Sequence, residues 1–175
     1  MTAVNKANIM KVKDGLVRSG AREVAESHPE IEFNDRIVEN RCNQVITRPE
    51  EYDVLVLPNL YGDIVSDLGA GVSGGLGSAG GANRRTHPAV FEETHGSAPK
   101  SKGRNMGNPT ALMLSVGYLL DHLGDTEAAE RMEAAMAAVI ALGEKVTFDL
   151  KPRRDDPTAV GTSEFADAVI EEMNA

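Results

Sequence analysis

The chain holds a single cysteine, Cys42, among its 175 residues, so no internal disulfide framework can form. A reducing compartment is expected, the cytoplasm or an organelle matrix. No apolar run approaches the length needed to cross a bilayer, and the opening residues Met1 to Lys6 lack the anatomy of a secretion signal. Positive charge is also scarce: 18 lysines and arginines stand against 27 acids, a net charge of −9. That balance argues against nucleic acid or a membrane surface as partner, because both reward a basic face. Cysteine and histidine never fall at zinc-binding spacing, there is no P-loop, and neither standard nucleotide-binding module is expected. What remains is an ordinary soluble composition, 41% hydrophobic and 26% charged, which predicts a folded chain with one good-sized domain or two small ones.

The hydrophobic pattern alternates between helix and strand, an α/β arrangement. Leu16, Val17, Ala21, Val24 and Ala25 recur at helical spacing and predict an amphipathic helix from Asp14 to His28, ended by Pro29. Ile31 and Phe33 read as a short strand, and Asn34 as the cap of a helix carrying Ile37, Val38, Cys42, Val45 and Ile46 inward up to Pro49. Val54–Leu57 reads as a strand buried on both faces. A turn over Pro58–Gly62 then leads to a helix opening at Asp63. Seven glycines lie between Gly69 and Gly81, in a stretch apolar enough to be a packed crossing. His95 to Gly107 looks irregular. Asn108 and Pro109 suit a helix start, with Leu112, Val116, Leu119 and Leu120 inward and Gly124 as the stop. Asp125 or Thr126 should cap another long helix, ended by Gly143. Val146–Leu150 suggests a strand, and Thr162 the cap of a last helix burying Phe165, Val169 and Met173.

Several side chains carry possible chemistry. Asp63 and Asp67, four apart on a helix, present two carboxylates on one face, an arrangement that a hard divalent ion such as Mg²⁺ or Mn²⁺ would relieve. The same pair also suits a plain acidic surface. Lys6, among small and polar neighbours, could move protons if partly withdrawn from water, or could simply be solvated. Between Arg84 and Arg104 a basic island, Arg84, Arg85, Lys100, Lys102 and Arg104 with His87 and His95, faces only Glu92 and Glu93. It fits a phosphorylated small molecule or a solvated loop. His95-Gly96-Ser97-Ala98-Pro99 with the helix start at Asn108 could cradle a ligand through backbone amides. Cys42 reads as a core residue and the methionines as packing.

Taken in order, Val4-Asn5-Lys6-Ala7-Asn8, Asn59-Leu60-Tyr61-Gly62-Asp63-Ile64-Val65-Ser66-Asp67, Gly74-Gly75-Leu76-Gly77, His95-Gly96-Ser97-Ala98-Pro99, Asn108-Pro109 and Ser163-Glu164-Phe165-Ala166-Asp167 resemble the isocitrate and isopropylmalate dehydrogenases. The resemblance runs over nearly the whole chain and is nearer to isocitrate dehydrogenase in Tyr61 and Lys100. It implies the C-terminal portion of an isopropylmalate dehydrogenase-like α/β fold. Residues 1–73 would belong to the smaller, dimer-forming domain and 74–175 to the large cofactor-binding domain. It further implies oxidation of a 2-hydroxy acid carrying a 3-carboxylate, isocitrate by preference, with hydride transfer to NAD or NADP and loss of CO₂.

The same resemblance assigns roles residue by residue. Lys6 takes part in proton transfer and Asn8 contacts substrate or nicotinamide. Asp63, Asp67 and Glu39 would hold Mg²⁺ or Mn²⁺, with Glu39 replacing an aspartate of the family. Glu92, His95, Gly96, Ser97, Ala98, Lys100 and Asn108 would hold the cofactor. Lys100 tilts the choice towards NADP, whereas Phe148 and Pro152 replace residues that help NADP-linked members. A homodimer is implied, because the family's lysine reaches into the neighbouring subunit's site. The family's N-terminal half, with its carboxylate-gripping arginines and its tyrosine, is not in this sequence, so a separate N-terminal partner is expected to complete the site. Failing that, the chain would be a regulatory-type or non-catalytic relative that keeps nucleotide or metal binding, or only dimerisation.

Overall fold

A computed structural model describes residues 1–85 and 88–175; Thr86 and His87, the latter part of the basic island, lie outside the described residues. The chain divides into two compact units, Met1–Val72 and Ser73–Ala175. Among the described residues no helix is long and apolar enough to cross a membrane.

The first unit is built on a three-stranded parallel sheet in the order β2-β1-β3. The central strand β1, Thr2–Asn5, is buried at every residue. It pairs with β2, Asn34–Ile37, on one side and β3, Leu55–Val56, on the other. Parallel neighbours need crossovers, and helices supply them: α1 (Lys13–Glu26) between β1 and β2 and α2 (Val38–Thr47) between β2 and β3, while α3 (Asn59–Val72) follows β3. The strands therefore share one C-terminal edge, where Lys6 follows β1, Glu39 follows β2 and Tyr61 follows β3.

Several expectations are corrected here. The second strand is Asn34–Ile37, not Ile31–Phe33: pairing with β1 sets its register, and the Asn34 N–H donates to the Met1 carbonyl at 3.1 Å. Asn34 is thus a strand residue and caps nothing. As an edge strand, β3 leaves Val54 and Val56 exposed instead of burying both faces. Helix α3 opens at Asn59, four residues before Asp63. Helix α1 occupies its expected span, but Leu16 is 74% exposed and Val24 58%, and the helix buries only Asp14. On α2 the buried residue is Arg41, while Cys42 is only half-buried.

The second unit pairs β4 (Gly80–Asn83) with β5 (Val90–Glu93) in an antiparallel ladder. Three helices follow: α4 (Thr110–His122), α5 (Thr126–Leu142) and α6 (Thr162–Met173). Ala135, Met136 and Val139 of α5 pack with Phe165, Ala168 and Val169 of α6 and with Val146 to form the core. Asp125 caps α5 by accepting the Ala128 N–H, and Gly143 ends it at φ 69°, a left-handed conformation that glycine adopts without strain.

The buried face of α4 is Thr110, Ala111 and Ser115; of the expected stripe Leu112 and Val116 are exposed, while Leu119 and Leu120 are half-buried. The cause is close approach of β4: a Cβ on Gly80 would stand 2.9 Å from the Leu114 Cβ and 3.1 Å from the Ser115 nitrogen, so only small side chains fit along that line. The expected strand over Val146–Leu150 is instead a buried extended pair, Val146 and Thr147, followed by a 3-10 turn at Phe148–Leu150. Thr162 begins α6 but does not cap it, because its hydroxyl donates to the Gly107 carbonyl at 2.6 Å.

Candidate functional site

At the C-terminal edge of the parallel sheet, Asp14 is the organising group. It is 1% exposed and accepts the Lys6 backbone N–H at 2.7 Å. The side chain of Asp14, then desolvation and the negative charge of Asp14 and Glu39, raise the Tyr61 pKa. Asn5 is buried beside Lys6, accepts the Ala7 N–H at 3.1 Å and keeps its Nδ2 sealed without a partner. The Lys6 ammonium donates to the Glu39 carboxylate, and this bond is the main reason the Glu39 pKa lies below its ordinary value. Asn8 sits exposed in the turn after β1.

Asp63 and Asp67 are exposed on α3, and among the described residues no cation pairs with either. Their carboxylate oxygens suit a hard divalent ion as two members of a larger ligand set. Glu39 does not join them, being engaged by Lys6. Among the described residues no group of three or more histidine, cysteine or carboxylate side chains is gathered to hold a metal ion.

In the second unit a cavity of about 540 Å³ is lined by Gly74 to Gly77, by His95, Gly96 and Ala98, by Asn108 at the start of α4, and by Phe148, Asp149 and Arg154. Its volume falls within the range of sites for small molecules and cofactors. Gly74 and Gly75 adopt φ of 115° and 107°, and a Cβ on Gly77 would press the Asn108 Cβ at 3.0 Å, so the backbone itself forms this wall.

Pro109, and not Asn108, occupies the N-cap position of α4, one residue later than the sequence suggested, but Asn108 supplies the side-chain acceptor for the helix start. Its Oδ1 accepts the Thr110 N–H at 3.0 Å and the Thr110 hydroxyl at 2.6 Å, while its Nδ2 donates to Asp149 at 2.9 Å. The positive end of a 13-residue helix thus opens at the cavity wall, a favourable place for an anion. Arg154 lies over the Phe148 ring at 6.0 Å and adds a cation to the same wall.

The expected cofactor residues divide here. His95, Gly96, Ala98 and Asn108 line the cavity. Glu92, Ser97 and Lys100 are exposed and do not line it; Glu92 accepts a bond from Asn83 at 3.3 Å. Gly75, Gly77 and Gly80 do stand at dinucleotide-fingerprint spacing. They lead through a 3-10 turn into β4, however, and not from a strand into a helix, so the standard module is absent in its structural sense. Asp14, Arg41 and Asp149 were missed. Each is a polar residue buried or half-buried by tertiary packing, and no local pattern marked them.

A family model described as isocitrate/isopropylmalate dehydrogenase matches residues 1–169. The chain belongs to that family. It is 48% identical over 151 residues to the human mitochondrial isocitrate dehydrogenase [NAD] subunit alpha, covering 86% of this chain and 41% of that protein. It is 42% identical over 172 residues to the isocitrate/homoisocitrate dehydrogenase of Thermus thermophilus, covering 98% and 49%. The crystal structure of isocitrate dehydrogenase from Methylococcus capsulatus superposes with a TM-score of 0.92 at 44% identity, over 99% of this chain and 50% of that one. The fold is therefore the C-terminal portion of the dehydrogenase fold, and the chain spans about half the length of these family members.

Proposed function

We propose that this chain contributes the metal-binding and cofactor-binding portion of a decarboxylating dehydrogenase that oxidises a 2-hydroxy-3-carboxy acid, isocitrate by preference, with NAD(P). The observation carrying the reading is the exposed Asp63–Asp67 pair, without a cation partner among the described residues, on the helix that follows the C-terminal edge of a parallel sheet. A bound Mg²⁺ or Mn²⁺ would supply Lewis acidity towards the substrate hydroxyl and carboxylate. Asp63 and Asp67 hold their charge on one helix face, ready to fix that ion. Lys6 keeps its ammonium on Glu39 and would exchange that partner for substrate before taking part in proton transfer. The helix start at Asn108 aims the α4 amides at the cavity, where the adenosine half of the cofactor would lie.

The cofactor choice turns on two opposed observations. Relatives such as the human subunit are named for NAD. Arg154 at the cavity wall offers a cation to an additional phosphate, whereas Lys100, on which the NADP preference rested, is not part of that wall. We place a nicotinamide dinucleotide there, with NAD and NADP to be compared directly. Substrate-gripping arginines are proposed to come from the polypeptide that precedes the matched region in the relatives. A homodimer is proposed from the apolar stripe Leu60, Ile64 and Val72 exposed on α3 and the exposed Leu16 and Val24 on α1.

The Lys6–Glu39 pair favours one alternative, a non-catalytic subunit that retains ligand binding. Initial rates with isocitrate, Mg²⁺ or Mn²⁺, and NAD or NADP separate the two readings, with isopropylmalate and homoisocitrate run beside them. Metal-dependent reduction that is lost in Asp63→Asn is expected once the complementary polypeptide is supplied. If both halves are present and no turnover occurs while nucleotide still binds, the non-catalytic reading stands.

A further inference from the structure

The first turn of α6 is capped from far away in the chain. Its N-cap position is Gly161, which has no side chain to offer, and Thr162 turns its hydroxyl to Gly107. Asn105, 58 residues upstream of Ser163, fills the role instead. Its Oδ1 accepts the Ser163 N–H at 3.0 Å and the Ser163 hydroxyl at 3.1 Å, and its backbone carbonyl accepts the Thr162 N–H at 3.3 Å. Its Nδ2 donates to Glu164 at 3.0 Å. The Thr162 and Ser163 amides are among those that a helix start leaves open. Together with the bond from Thr162 to Gly107 at 2.6 Å, these contacts close a clasp between residues 105–107 and the start of α6.

The backbone shows that the clasp is specific. Asn105 sits at φ 47°, a left-handed conformation that is costly for most side chains and tolerated by asparagine. Such a conformation persists where the surroundings hold it in place. Gly161 leaves the room: a Cβ there would press into the Asn105 amide and stand 2.5 Å from the Asn105 carbonyl oxygen, so even alanine would displace it.

What the clasp holds is a cavity wall. Ser101, Met106 and Gly107 line the cavity of about 540 Å³, while Asn105, Gly161 and Glu164 do not. Among the described residues, every hydrogen bond tying residues 99–107 to a distant part of the chain runs to Thr162, Ser163 or Glu164. We infer that Asn105 is a positioning residue for this cavity, fixing the wall at Ser101, Met106 and Gly107 by clasping the start of α6. The identity of the occupant, a nicotinamide dinucleotide, rests on the proposed cofactor reading; the fixing of the wall does not. A wall that holds its binding form only about a tenth of the time weakens affinity about ten-fold.

Two variants of the full chain open the clasp from opposite sides. Asn105→Gly removes the side chain and suits the positive φ, so the fold should survive, as circular dichroism will show. Gly161→Ala displaces Asn105 without altering it. Val169→Ala, in the α6 core, is the control for loss of helix stability alone. Order parameters from ¹⁵N relaxation at Met106 and Gly107 should fall from about 0.85 to below about 0.6 in both clasp variants and stay high in Val169→Ala. Affinity for NAD or NADP, read by calorimetry, should weaken about ten-fold in both clasp variants, no further in the double variant, and not at all in Val169→Ala. Unchanged order parameters in the clasp variants would overturn the inference, as would nucleotide binding that the clasp variants leave intact or that Val169→Ala weakens equally. If the wild type binds neither nucleotide, the cofactor reading falls, and the order parameters alone decide whether Asn105 holds the wall.

Discussion

Replacing Asn108 with alanine removes three hydrogen bonds at once. The Thr110 N–H and hydroxyl both lose their acceptor, and Thr110 is 4% exposed, so water cannot replace it. Loss of a helix cap costs about 1 kcal/mol. The half-buried Asp149 carboxylate loses the Asn108 amide but keeps the Thr147 hydroxyl at 2.7 Å, a loss of about 1 kcal/mol more. The sum, about 2 kcal/mol in a unit of about a hundred residues, lowers its Tm by about 8 °C. Asn108→Asp separates the contributions: it retains the cap acceptor but sets a second carboxylate against Asp149. Its stability should therefore fall as well, and its affinity for a dinucleotide should fall further than that of Asn108→Ala, because the new charge would face the phosphates of the proposed cofactor. Thermal and urea unfolding by circular dichroism, with nucleotide titration by calorimetry, read both effects. If Asn108→Ala remains within about 0.5 kcal/mol of wild type, a neutral surface change, the account of this helix start is refuted.

Other perturbations test the packing and the ion pair. Gly80→Ala drives a methyl against the α4 backbone at 3.1–3.2 Å and should destabilise the second unit by about 2 kcal/mol in urea unfolding; a neutral effect would mean β4 and α4 are not in contact in solution. Phe165→Ala empties the centre of the α5–α6 core, where Phe165 is 0% exposed, at a cost of about 3–5 kcal/mol by the same measurement. The Glu39 carboxyl, followed by ¹³C magnetic resonance, should titrate below its ordinary 4.5 and move back towards it in Lys6→Met. Because its folded-state pKa is depressed, the pair's stabilisation is present above the unfolded value and is lost as pH falls through the folded one. An unchanged Glu39 titration in Lys6→Met would mean that the ion pair does not form in solution.

Local chemistry was legible wherever the chain itself supplies both partners of an interaction. Asn108 and Pro109 mark the start of α4, Asp125 and Gly143 bracket α5, and Pro49 follows the end of α2, because caps and breakers act within a few residues of themselves. The facing of helices was less legible. Leu112 and Val116 promised the core, but β4 approaches α4 so closely at Gly80 that Ala111 and Ser115 had to take those positions. The short strands fared worst. Asn34-Asp35-Arg36-Ile37 has no strand pattern and is one only because β1 offers it a ladder. Of the site, Lys6, Asp63, Asp67, His95 and Asn108 were visible through family motifs, whereas Asp14 and Asp149, which hold Lys6 and Asn108 in place, were not. Supporting residues of that kind owe their position to tertiary contacts and leave no periodic trace.

The distribution of unmet polar groups separates the two units physically. Among the described residues, every buried side-chain atom without a partner belongs to the first unit: Asn5 Nδ2, Asn34 Oδ1, and Nε and Nη1 of Arg41. The same unit exposes Leu16 and Val24 on α1 and Leu60, Ile64 and Val72 on α3, while the apolar core cluster lies in the second. A unit that buries charge and amide groups without partners gives up stability there, since each such desolvated group opposes folding. Binding a ligand to those groups, or covering the apolar stripes, restores it. Ligand-responsive parts of proteins are drawn from the low-stability end of the fold for this reason. One of these groups, Asn5 Nδ2, stands at the C-terminal strand edge next to Lys6, whereas Asn34 opens β2 at the opposite edge and Arg41 lies on α2 against Tyr52.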